Sequence, residues 1–91
     1  MISKTEAKSL VETRLIDSLP SSIKCAVDDR LTLPYDWGWI FFWNSRQFIE
    51  TGAHELWGNN PYLVNKLTGD VTQIPPKTDI EDFVRVYEEE L

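Results

Sequence analysis

The chain has 91 residues, the size of one folding domain, and 42% of them are hydrophobic, including four Trp, four Phe and three Tyr. That aromatic content argues against intrinsic disorder. Nine Lys and Arg against fifteen Asp and Glu give a formal charge of −6, with the cations scattered along the chain. This disfavours nucleic acid and anionic lipid as partners and favours a basic protein, although the same charge also serves simply to keep a small domain in solution. No apolar run reaches the ~18–20 residues of a membrane span. The first six residues lack the apolar core of a secretory signal. Cys25, the single cysteine, rules out an intrachain disulfide framework and fits a reducing compartment, so a cytoplasmic location is expected.

Ser3-Lys4-Thr5-Glu6 has the spacing of a capping box. Ala7, Leu10, Val11, Leu15 and Leu19 follow at helical intervals, which predicts a helix over 4–18, stopped by Pro20-Ser21-Ser22. Residues 23–33 read as a strand broken by a turn, or bulged, at Asp28-Asp29, and Pro34-Tyr35-Asp36 reads as a turn. The next run, Trp37 to Asn44, is the strongest strand signal, with Trp37, Trp39, Phe41 and Trp43 on one face and Ile40 and Phe42 on the other. Two apolar faces leave two arrangements open: a central strand covered on both sides, or a sheet with one face left for a partner, such as the second copy in a homodimer. Residues 45–52 read as a short helical turn or a continued strand ending at Gly52, with a further turn over 53–57 and a loop at Gly58-Asn59-Asn60-Pro61. Strands over 62–66 and 71–74 flank a Gly-containing turn as a hairpin ended by Pro75-Pro76. Thr78-Asp79-Ile80-Glu81 is a second capping box, and Ile80, Phe83, Val84, Tyr87 and Leu91 form the apolar stripe of a last helix. Residues 1–91 thus read as a single α+β domain, an antiparallel sheet of about four strands with an N-terminal and a C-terminal helix packed on it.

Catalytic chemistry finds little support. The single histidine, His54, and Cys25 stand outside any nucleophile motif and read as a solvated loop side chain and a small buried hydrophobe. Two such ligands cannot complete a zinc site, and Asp28-Asp29 has no calcium-loop spacing around it. The four glycines form no phosphate-binding fingerprint, so no cofactor or metal is expected. The large apolar residues are the informative feature: Trp57 falls in an apparent loop, where an exposed indole anchors interfaces.

Three segments in order carry a resemblance. They are Trp37-Gly38-Trp39-Ile40-Phe41-Phe42-Trp43-Asn44-Ser45, then Phe48-Ile49-Glu50-Thr51-Gly52, then Gly58-Asn59-Asn60-Pro61-Tyr62-Leu63-Val64-Asn65-Lys66-Leu67-Thr68-Gly69-Asp70-Val71. This ordered set resembles the immunity protein 35 family, which includes YrhB-like small bacterial proteins. Asn60 and Asn65 depart from the pattern, standing where the family carries a small residue and an Asp. The resemblance implies a non-enzymatic cytoplasmic protein that binds and neutralises a cognate polymorphic toxin; a chaperone-like (holdase) activity on client proteins is the alternative it implies. The partner surface is then expected near Asp36, Trp37, Glu50, Glu55 and Trp57, where acids flank aromatics around the loops.

Overall fold

The computed structural model describes residues 1–20 and 22–91. Ser3 starts the first helix as its spacing predicts: its hydroxyl accepts from the Glu6 N–H at 3.1 Å, and the Glu6 carboxylate accepts from the Ser3 N–H at 3.2 Å. Helix α1 (Lys4–Ser18) buries Ala7, Val11 and Leu15, while Leu10 lies at the margin of the stripe and stays exposed. Leu19 closes the helix with extended backbone; of the expected Pro20-Ser21-Ser22 stop, Ser21 lies outside the described residues.

The break expected at Asp28-Asp29 is present. β1 (Cys25–Val27) and β2 (Leu33–Tyr35) are separated by a 3-10 turn (Asp29–Leu31). Both run antiparallel to the aromatic strand, itself divided at Phe42 into β3 (Gly38–Phe41) and β4 (Trp43–Ser45). Val27 faces Trp43, the Asp28 N–H donates to the Phe42 carbonyl at 2.8 Å, and pairing resumes with Leu33 opposite Ile40. The 3-10 turn is therefore an insertion into one strand, thrown out beside the partner strand's bend. β1 and β4 form a two-stranded sheet; the other sheet has the order β2-β3-β5-β6, with β5 (Tyr62–Asn65) and β6 (Val71–Gln73). Pro34 and Tyr35, expected in a turn, belong to β2, and the reversal falls on Asp36 and Trp37. Because β2 is an edge strand, the missing N–H of Pro34 is tolerated there.

Both faces of the aromatic strand are covered. Phe41, Trp43, Tyr62 and Val64 pack with Ala7, Val11 and Leu15 of α1. On the other face Ile40, Leu63 and Ile74 pack with Val84 of α3 (Ile80–Glu89). Trp37 departs from the expected alternation. It joins the Ile40 face, away from Trp39, because Gly38 between them has φ +155° and breaks the extended repeat. Its ring stacks on Tyr35 at 4.7 Å, and its indole N–H donates to Glu88 at 2.9 Å, tying the turn to α3.

The hairpin forms around Gly69 (φ +78°), with the Asn65 side-chain oxygen accepting from the N–H groups of Leu67 at 2.9 Å and Thr68 at 3.1 Å. The Asn65 amide also donates to the Tyr87 hydroxyl at 2.8 Å, which a carboxylate at that position cannot do. The second cap is shifted by one residue: Asp79, not Thr78, is the N-cap of α3 and accepts from the Asp82 N–H. Residues 45–52 are the helical alternative, α2 (Arg46–Thr51), closed by Gly52 in the left-handed region, and the turn expected over 53–57 is instead irregular chain.

Candidate protein-binding site

The apolar run of the aromatic strand ends in Asn44 and Ser45, both buried. Buried polar groups need partners, and these two find theirs in the loop that follows α2. The Asn44 side-chain oxygen accepts from the N–H groups of Ser45 and Leu56, each at 2.8 Å. The Ser45 hydroxyl accepts from the Phe48 N–H at 3.0 Å, capping α2, and donates to the His54 carbonyl at 2.8 Å. Further along, the Asn59 amide donates to the Trp43 carbonyl, and the Trp43 indole N–H donates to the Asn60 carbonyl at 2.7 Å. The loop is thus fastened to β4 at His54 and Leu56 on one side and at Asn59 and Asn60 on the other.

Trp57 stands between these fastenings, with its side chain 85% exposed. Across from it, the 3-10 turn inserted between β1 and β2 presents Leu31, also exposed. A depression of about 580 Å³ lies between the two, with half-buried Phe42, Phe48 and Leu56 in its floor and Arg30 and Glu55 at its rim. Arg30 is held by Asp28: Nε donates to one carboxylate oxygen at 3.0 Å, Nη2 to the other at 2.8 Å, and the Arg30 backbone N–H adds a bond at 3.2 Å. Asp28 is buried, and the Arg30 guanidinium holds its carboxyl below the usual carboxylate range. A depressed native value means stability that is present above the unfolded value of ~3.9 and disappears as pH falls through the native one. Asp28→Asn should therefore flatten the acid limb of a pH–stability curve below about pH 4; an unchanged acid limb contradicts this role.

Of the five residues expected at the partner surface, the structure brings together Glu55 and Trp57 in this depression. Glu50 lies on α2 beside Lys24 and Arg46, in a separate shallow depression. Asp36 is exposed in the β2–β3 turn at the far end of the aromatic strand, and Trp37, at 6% exposure, is a core residue. Sequence reasoning missed Arg30 and Leu31, because only the strand pairing shows that the 3-10 turn projects beside the loop. It also missed Asn44, whose only local signal is polarity where the apolar run stops, and Asn59, which reads only as part of a polar loop.

Among the described residues no catalytic constellation is assembled around the histidine. His54 is exposed with φ +62° and meets Ser45 through its backbone carbonyl, while the Ser45 hydroxyl is committed to a helix cap and that carbonyl. Burial pushes the Cys25 thiol up, opposite to what activates a nucleophile. Among the described residues no group of three or more His, Cys, Asp or Glu side chains is placed to hold a metal ion, and no helix is long and apolar enough to cross a membrane.

Fold and site together define a small α+β domain that covers both faces of its sheet with helices and holds one tryptophan out on a fastened loop. The chain belongs to the immunity protein 35 family, whose family model matches residues 5–84. It is similar to "Uncharacterized protein YrhB" of Escherichia coli (strain K12), with 34% identity over 53 residues, a match covering 56% of this chain and 56% of that one. The chain therefore spans about half the length of the curated relative it matches. No solved structure matches it.

Proposed function

We propose that this protein is an immunity protein that binds a cognate toxin domain through the depression at Trp57 and neutralises it by occlusion, without a reaction of its own. The observation that carries the reading is the indole of Trp57, solvated in a domain that buries or half-buries its other three tryptophans. Leaving such a side chain in water forgoes about 1.5–3 kcal/mol of burial, and tryptophans at the centre of interfaces carry a large share of binding energy. Fastening at His54, Leu56, Asn59 and Asn60 reduces the ordering cost that binding would otherwise incur. The charge of −6 favours capture of a basic partner, and membership of the immunity protein 35 family supports a protein as that partner.

If a toxin domain is encoded beside its gene, co-expression with that domain should restore growth of the poisoned cell; persistent growth arrest contradicts the reading. Glu55→Lys at the rim should slow association with a basic toxin by roughly threefold to tenfold at low salt, with the difference shrinking as salt is raised. An unchanged association rate moves the contact off this rim.

The chaperone-like alternative rests on exposed apolar side chains, and of Trp37, Trp39 and Trp57 only Trp57 is exposed. Light scattering of a heated client reads it: unchanged aggregation at molar excess removes it.

A further inference from the structure

A cleft opens at the end of α1, where the chain turns back towards β1. Leu15, Ile16 and Leu19 on the helix and Ile23 and Cys25 beyond it line this cleft of about 460 Å³, a size within the range of small-molecule sites. Leu15 is buried at its base, whereas Ile16 is 76% exposed at its lip. Lys24 and Arg46 also line the cleft, held side by side by the Arg46 backbone N–H, which donates to the Lys24 carbonyl at 2.9 Å. Among the described residues neither cation is ion-paired, although the chain carries fifteen carboxylates. Glu12, the one carboxylate lining the cleft, is engaged from the other side, accepting from the Val27 N–H at 3.3 Å.

An apolar cleft lined by two cations that form no ion pair among the described residues, with Glu50 beside them in the neighbouring depression and outside the cleft, is complementary to an apolar chain ending in a negative charge. We infer that this cleft binds a medium-chain fatty acid, its hydrocarbon along Leu15, Ile16, Leu19 and Ile23 and its carboxylate at Lys24 and Arg46. The apolar wall supplies affinity in proportion to chain length, roughly fourfold per buried methylene. The cations select the sign of the headgroup. The site is separate from the Trp57 depression, so the two stand or fall independently.

Cys25 gives the readout, since it is the only thiol and lies in the cleft wall. Decanoate, used below its micelle concentration at a mildly alkaline pH, should slow reaction of Cys25 with a disulfide reagent by at least about fivefold at saturation. Octanoate, two methylenes shorter, should need roughly fifteenfold more ligand for the same protection, and decyltrimethylammonium should give none. Lys24→Ala with Arg46→Ala should weaken decanoate by about tenfold. Ile16→Glu, at a side chain the core does not use, should abolish the protection while the near-ultraviolet dichroism of the tryptophans stays unchanged. Absence of protection by decanoate, or equal protection by the cationic and anionic headgroups, overturns the proposal.

Discussion

Gly38→Ala is expected to unfold the domain or bring it close to unfolding. Gly38 has φ +155°, where an L side chain is strained, and a Cβ there would run into the Val64 carbonyl oxygen, with the Val64 carbonyl carbon at 3.0 Å and the Asn65 Cα at 3.1 Å. All three neighbours are backbone atoms of β5, which pairs with β3 through Gly38 opposite Asn65, so no side chain can swing aside. Backbone strain of about 1–3 kcal/mol and overpacking of about 1–3 kcal/mol act together. A domain of this length has a total stability near the low end of about 5–15 kcal/mol. Thermal unfolding should show a Tm at least ~8 °C lower, given about 4–8 °C per kcal/mol at this size. A Tm within ~5 °C of the parent would mean that β3 and β5 are not held at this spacing.

Phe41→Ala is expected to cost about 3–5 kcal/mol. Phe41 is fully buried and lies with Val64 and Tyr62 of β5 and with Ala7 and Val11 of α1, so its loss opens a cavity between the sheet and the helix. Ala7 is fully buried in the same cluster, and a close-packed interior leaves little slack for collapse. Urea unfolding should show a midpoint shifted far to lower denaturant with an unchanged slope. A shift worth less than ~1.5 kcal/mol would mean that the ring is not enclosed between the two layers.

The sequence is most legible where one short motif determines the outcome. Ser3 and Glu6 set the start of α1, Gly69 sets the hairpin, Gly52 ends α2, and the stripe from Ile80 to Tyr87 sets the buried face of α3. Legibility falls where a distant group decides. Thr78 and Asp79 are both good caps, and the choice of Asp79 depends on where α3 must start to place Val84 on Ile74 and Leu63. Pro34 and Tyr35 look like a turn from composition, yet an edge strand accepts the proline and the stacking of Tyr35 on Trp37 fixes the pair in β2. Period-two counting put Trp37 beside Trp39; the conformation of Gly38 reverses it, and the expected partner surface lost one of its two aromatics to the core. The depression at Trp57 was half visible. Its indole stands out in a polar loop, but the loop's shape is imposed by Asn44, Ser45 and Asn59 through bonds that span nine to sixteen residues.

The central claim is that the fastened loop presents Trp57 to a protein partner. It is tested most directly by titrating the proposed partner, a cognate toxin domain, into this protein and into its Trp57→Ala variant, with Tm measured for both. The indole is exposed, so the variant should keep its Tm within ~2 °C, while its Kd for the toxin domain rises at least about thirtyfold, the equivalent of roughly 2 kcal/mol. An unchanged Kd in a folded Trp57→Ala variant would contradict the account.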